Sequence, residues 1–214
     1  MTKNLKISLA LVVIAVAAVL VIAATSKEDG NTAAPTSPAE QEQRLVRDDS
    51  PKLTDGTEAT FVEFLDFECE ACGAWYPVIE DLKATYGDRI SFVVRYMPLH
   101  TSSVNAAKAA EAAGEQGKYK EMFDILFQRQ TDWGHKDTPE EQKLFGYAEE
   151  LDLDMAQFRT DFDSAEVAAR IEQSTADGKS LGVQGTPTMF LDGKKISPET
   201  PDDLASAFEA AVAK

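Results

Sequence analysis

Cysteine and histidine are nearly absent, with two of each in 214 residues. A structural zinc site normally needs about four nitrogen or sulfur ligands, so a fold organised by such sites is excluded. A framework of several disulfides is excluded as well. Basic residues are scarce: 21 Lys and Arg stand against 37 Asp and Glu, for a formal charge of −16. So acidic a chain repels nucleic-acid phosphates and anionic lipid headgroups. It is not a nucleic-acid binder, and any membrane attachment must come from apolar contact. Hydrophobic residues nevertheless make up 43% of the chain, enough to fill a core and to exclude wholesale disorder.

Long apolar runs are also missing, with one exception. After Lys3 and Lys6, residues 7–24 form an unbroken apolar stretch whose one polar member is Ser8. As a helix, such a stretch rises about 27 Å, close to the roughly 30 Å hydrocarbon core of a bilayer. Ala23, Ala24, Thr25 and Ser26 would also suit cleavage of a secretory signal. The length favours a retained transmembrane signal-anchor. Positive charge precedes the run and Glu28 and Asp29 follow it. Residues 1–6 are therefore expected in the cytoplasm and the remainder of the chain outside, at the periplasmic or cell-surface side. Residues 25–44, rich in Thr, Ser, Ala, Pro, Glu and Gln, read as a disordered linker that keeps the following domain near the membrane.

Residues 45–214 read as one α/β domain. Phe61, Val62, Phe64 and Leu65 make a strand, and a helix follows from about Glu70 to Tyr86, with Pro77 inside it. A second strand runs from Ile90 to Tyr96. Between about 99 and 182 the periodicity is helical, with stripes such as Tyr119, Met122, Phe123 and Leu126. Thr138-Pro139-Glu140-Glu141 has the pattern of a capping box opening one of these helices. Thr188 to Leu191, then Asp192-Gly193, then Lys194 to Ile196 form a hairpin, and Thr200-Pro201 starts a final helix. The outline is βαβ, a helical insert, then ββα.

Both cysteines fall in one motif, Cys69-Glu70-Ala71-Cys72. A zinc site lacks ligands, because only His100 and His135 remain. A purely structural disulfide would close a tiny loop and constrain little of the unfolded chain. A redox pair fits best. The first thiol lies at a helix N-terminus, where the dipole and free N–H groups favour a thiolate, and the second lies one turn inside. Neither histidine has a cysteine or carboxylate motif around it, so both are expected at the surface without a catalytic role.

The stretch Phe64-Leu65-Asp66-Phe67-Glu68-Cys69-Glu70-Ala71-Cys72-Gly73, with Gly185-Thr186-Pro187-Thr188 downstream, resembles the DsbA-like branch of the thioredoxin superfamily. The resemblance covers about residues 45–214, insert included. It implies a thioredoxin fold with the insert packed over the active-site end. It also implies a cis Thr186–Pro187 bond facing the cysteines, where the backbone would pair with an extended substrate. Glu63, six residues before Cys69, matches a buried acid that would relay protons for Cys72. The chain departs from the strong oxidants of this branch, which carry a histidine between the cysteines. With Glu70 and Ala71 there, and Glu68 and Glu70 flanking Cys69, the thiolate is expected to be less stabilised and the oxidising power lower than in those relatives.

The expected activity is disulfide formation in exported proteins that carry cysteine pairs. Cys69 acts as the reactive thiol and Cys72 as the resolving one, without metal or organic cofactor. The resemblance further implies an integral-membrane, quinone-linked partner that reoxidises the pair, and a monomer. A reductase or isomerase of the same fold is the alternative, since Thr186 before the proline resembles isomerase-type relatives. A non-enzymatic extracytoplasmic binding or chaperone module is a further rival, opposed by the intact cysteine pair.

Overall fold

Strand Ala59–Leu65 (β1) is buried on both faces, which explains its nearly continuous apolar sequence. Alternation sends Phe61, Glu63 and Leu65 to one side and Val62 and Phe64 to the other. The computed structural model describes residues 33–213. β1 pairs in parallel with Ile90–Tyr96 (β2), Val62 opposite Val93, and antiparallel with Thr188–Leu191 (β3), Glu63 opposite Met189. Lys194–Ile196 (β4) adds to β3, giving the order β2-β1-β3-β4. Each element of the βαβ…ββα outline is present at the expected place in the chain.

The linker expectation needs correction at its C-terminal end. Pro38–Leu45 forms a helix, α1, capped by the Ser37 side chain, with proline in its first turn and Glu40 near its start. Leu45 (2% exposed) packs with Val62, Phe64 and Phe190 against one face of the sheet. Gln41 Nε2 donates to Gly193 O at 2.7 Å, tying the helix to the β3–β4 turn. Polar composition concealed it, because few residues besides Leu45 bury apolar surface there. The folded unit therefore starts several residues before 45. The expected cytoplasmic segment 1–6, the anchor 7–24 and linker residues 25–32 lie outside the described residues. Among the described residues no helix is long and apolar enough to cross a membrane.

Helix Glu70–Tyr86 (α2) follows β1 and returns the chain to β2, passing through Pro77 without a break in the helix. Helices Ser103–Gly114 (α3), Tyr119–Gln128 (α4), Gln130–Trp133 (α5), Glu141–Glu150 (α6) and Met155–Phe162 (α7) make up the body of the insert. Ala165–Ser180 (α8) leads back to the sheet, and Pro201–Val212 (α9) closes the fold from the expected start, where Thr200 and Asp203 form a capping box. The capping box expected at Thr138-Pro139-Glu140-Glu141 does not form. α6 starts at Glu141 with Glu140 as its cap residue, and no side chain caps it.

Two aromatic groups fix the layers. Phe61, Phe92 and Phe208 meet edge-on, with ring centroids 5.0–5.5 Å apart, between the sheet and α9. Phe67, just before the cysteine motif, packs against Phe123 and Phe127 of α4 at 5.5 and 5.1 Å, holding the insert over the start of α2. On the opposite face α8 approaches closely because residue 178 is glycine: a Cβ there would stand 3.0 Å from the Phe64 ring. The same face buries Arg95 and Asp177, both 3% exposed at the side chain and 2.6 Å apart. Arg47 pairs with the second oxygen of the same carboxylate at 2.7 Å.

Candidate active site

Cys69 is the cap residue of α2 and Cys72 lies within its first turn. The preceding turn is tightly specified. Asp66 Oδ1 accepts from the Glu68 amide at 2.8 Å, and Asp66 O accepts from the Cys69 amide at 3.1 Å. Both cysteines are free thiols. Cys69 is 9% exposed and Cys72 1%, so what solvent reaches the pair reaches Cys69.

The environment drives the two sulfurs apart in acidity. The Cys72 thiol, followed by the Thr186 side chain and the amides of Cys72 and Ala71, donates to the Cys69 sulfur. These donors outweigh its partial burial and lower its pKa from 9.0 to about 5. That same bond to Cys69, together with burial and the nearby Glu63 charge, pushes the Cys72 thiol far up. A thiolate at Cys69 and a retained proton on Cys72 is the arrangement a nucleophile and its resolving partner need.

Glu63 points, by strand alternation, to the face that holds both cysteines. It is 6% exposed. Burial, helped by the Cys69 charge, raises its carboxyl from 4.5 to about 8. A carboxyl raised this far is neutral over most of the range up to neutral pH, and its charge is felt at Cys72. The Thr186–Pro187 bond is cis. It faces the pair, with Cys69 Sγ 3.4 Å from Thr186 O. The Thr186 hydroxyl is buried and makes no hydrogen bond to any oxygen or nitrogen. The structure thus brings Cys69, Cys72, Glu63, Thr186 and Pro187 together from β1, α2 and the loop before β3.

Glu70 and Glu68, expected to burden Cys69 with negative charge, are both occupied elsewhere. Glu68 is buried and accepts from the amides of Ser102 at 2.6 Å and His135 at 2.7 Å. Glu70 is exposed and lies 3.4 Å from His135 Nε2. Ala71 contributes through its backbone N–H, which its side chain could not have announced.

Two sets of residues at the site were missed in the sequence. Gln130 of α5 donates Nε2 to Phe67 O at 2.7 Å and to Cys69 O at 2.9 Å. It clamps the turn against the insert, and Gly73 makes room for it: a Cβ there would stand 2.6 Å from Gln130 Oε1. The second set involves the histidines, which are exposed as expected but do have carboxylate neighbours. His100 Nδ1 lies 2.7 Å from Asp66 Oδ2, and its ring meets that of His135 at 5.5 Å. Spacing of more than thirty residues hid both contacts. Among the described residues no group of three or more His, Cys, Asp or Glu side chains is arranged to hold a metal ion.

Known proteins share this fold. A family profile described as Thioredoxin matches residues 55–210. A thioredoxin-like oxidoreductase from Silicibacter pomeroyi DSS-3 superposes with a TM-score of 0.68 at 29% identity, over 80% of this chain and 98% of that one. Wolbachia pipientis alpha-DsbA1 gives 0.72 at 17% identity, covering 81% and 96%. Oxidised BdbD from Bacillus subtilis gives 0.64 at 22%, covering 77% and 94%. In sequence, the Na(+)/H(+) antiporter NhaA of Herminiimonas arsenicoxydans is 39% identical over 141 residues, 64% of this chain but 21% of its own length. NhaA 3 of Salinispora tropica is 37% identical over 158 residues, 72% of this chain and 23% of its own. The chain thus spans less than a quarter of these curated relatives.

Proposed function

This chain belongs to the thioredoxin family, with a DsbA-like architecture, and we propose that it is an extracytoplasmic oxidoreductase that forms disulfides in exported proteins. The observation that carries this reading is the asymmetry of the pair: an acidic, solvent-reachable Cys69 beside the Thr186 carbonyl, and a buried, proton-holding Cys72 above Glu63.

In the forward direction a client thiolate attacks Cys69 of the Cys69–Cys72 disulfide, forming a mixed disulfide and releasing Cys72. Glu63 supplies the proton that Cys72 takes up. The client's second thiol, deprotonated, attacks its own sulfur in the mixed disulfide, and Cys69 departs as a thiolate. Its low pKa makes it a good leaving group. During the mixed disulfide the backbone at Thr186 pairs with the client segment like an added strand. A quinone-linked membrane protein then removes the two electrons. A retained helix over residues 7–24 would hold the catalytic domain near that partner, in a monomer anchored by one span.

Direction is decided by the redox equilibrium with glutathione, measured beside insulin reduction and refolding of reduced ribonuclease. An oxidant forms disulfides in ribonuclease, Cys69→Ala abolishes this, and Cys72→Ala, whose lone Cys69 thiolate attacks an existing disulfide of insulin, accumulates the mixed disulfide. A Cys69→Ala protein as active as the wild type would refute the reading. A strongly reducing potential would reverse the direction while keeping the chemistry, a reading that Thr186 before the proline also accommodates.

A further inference from the structure

The dipeptide between the cysteines, Glu70-Ala71, offers Cys69 no cationic side chain, yet a histidine from another part of the fold is held against Asp66, whose backbone oxygen accepts from the Cys69 amide at 3.1 Å. Asp66, three residues before Cys69, directs one carboxylate oxygen to the Glu68 amide at 2.8 Å. The other accepts from the Leu99 amide at 2.7 Å and meets His100 Nδ1 at the same distance. An oxygen in that position can only accept, so His100 carries its hydrogen on Nδ1 and leaves Nε2 as the atom that gains and loses a proton. The imidazole is partly exposed, and neighbouring contacts orient it. The His100 amide donates to Ser103 Oγ at 3.1 Å. The His135 ring stands edge-on to it at 5.5 Å. His135 is itself fixed by its amide bond to Glu68 and by Glu70.

We propose that His100, oriented by Asp66, is the positioning cation of the redox pair, standing in for the side chain that Glu70-Ala71 does not provide. The inference rests on the thiol–disulfide role of Cys69 and Cys72. The groups that act on His100 are the carboxylates of Asp66 and Glu68, the Cys69 sulfur and the neighbouring His135 ring with its partner Glu70. Burial works against the charged imidazole, but the hydrogen bond and charge of Asp66, with Glu68 and Cys69, overcome it. They raise the pKa above the ordinary 6.5.

The consequence is a proton count that depends on pH. When a client dithiol reduces the Cys69–Cys72 disulfide, two electrons enter the pair and two protons leave the client. Cys72 keeps one. Where His100 was neutral in the oxidised protein, Nε2 takes up the other and Cys69 remains a thiolate. Charged His100 favours the reduced pair, so the protein is the stronger oxidant below the pH at which the imidazole loses its proton and the weaker one above it. By reciprocity, a thiolate at Cys69 must raise the proton affinity of His100 as much as charged His100 raises the acidity of Cys69.

Two titrations on the full chain test this. The His100 imidazole is followed by NMR in the disulfide and dithiol forms, and the Cys69 thiolate by its ultraviolet absorbance in wild type, His100→Asn and His100→Lys. Asparagine can keep a donor to Asp66 without the charge; lysine keeps a charge. His100 is expected to bind its proton about threefold or more tightly in the dithiol form, and His100→Asn to weaken Cys69 acidity by the same factor. His100→Lys should leave Cys69 acidic across the range in which wild-type His100 discharges. Identical His100 titrations in the two redox states would overturn the proposal whether or not the variants fold. So would a His100→Asn protein that is merely less stable, with Cys69 titrating as before. A wild-type protein without exchange activity would remove the proposed function, while both titrations would still decide the coupling.

Discussion

Replacing Glu63 by glutamine separates the two consequences of burying a carboxyl behind the cysteine pair. In the unfolded chain this group ionises at an ordinary 4.5; in the fold, burial raises it to about 8. At pH 7 folding must therefore keep neutral a group that the unfolded chain would ionise. At about 1.4 kcal/mol per tenfold in the equilibrium, that costs roughly 3 kcal/mol. The sign follows from the raised value. The stability associated with the neutral form is intact below pH 4.5, is lost as pH rises, and levels off above about 8. Glutamine has nearly the same shape and no charge to suppress. Reduced Glu63→Gln should unfold at a higher denaturant concentration than reduced wild type at pH 7. Its advantage should be up to about 3 kcal/mol, or roughly 6–12 °C in Tm for a domain of this size. At pH 4 the two should coincide. Turnover should move the other way: without a proton donor and acceptor beneath Cys72, exchange should slow by about a hundredfold, the lower end of the usual general acid–base contribution. A stability difference that stays constant from pH 4 to pH 8 would refute the reasoning, because a purely steric effect does not titrate.

Other expectations follow from the same geometry. Alkylation of Cys69 by iodoacetamide should rise to half its maximum near pH 5, with Cys72 unreactive across the neutral range; a midpoint near 9.0 would contradict the donor set around the sulfur. Gln130→Ala should remove the clamp on Phe67 O and Cys69 O, costing about 1–2 kcal/mol and shifting that alkylation midpoint upward. Asp177→Asn leaves Arg95 buried without its counter-charge and should cost about 3–5 kcal/mol in denaturant unfolding at neutral pH. Gly178→Ala drives a methyl against the Phe64 ring and should destabilise by about 1–3 kcal/mol despite the better helix propensity of alanine; a neutral result would show that α8 can retreat.

Local chemistry made most of the fold legible. The apolar runs at Phe61–Leu65 and Ile90–Tyr96, the Asp192-Gly193 turn and the Thr200-Pro201 start are contained within a few residues each, and these elements appear where that chemistry puts them. Where start signals were weighed without packing, errors followed. Ser37-Pro38 begins a helix despite its polar surroundings, because Leu45 finds a sheet to cover. Thr138-Pro139 carries the pattern and forms no cap.

By itself the sequence determined that two thiols sit at one helix start, since four consecutive residues and a period of 3.6 suffice for that. The acidity of each thiol was decided only by the tertiary structure. It depends on which groups arrive from a distance: Thr186, more than a hundred residues away, at Cys69, and Glu63, from β1, at Cys72. His100 is likewise brought to Asp66, in the turn before Cys69, across a separation of 34 residues. Charges and hydrogen bonds act through a few ångströms of space, and no spacing along the chain records that separation.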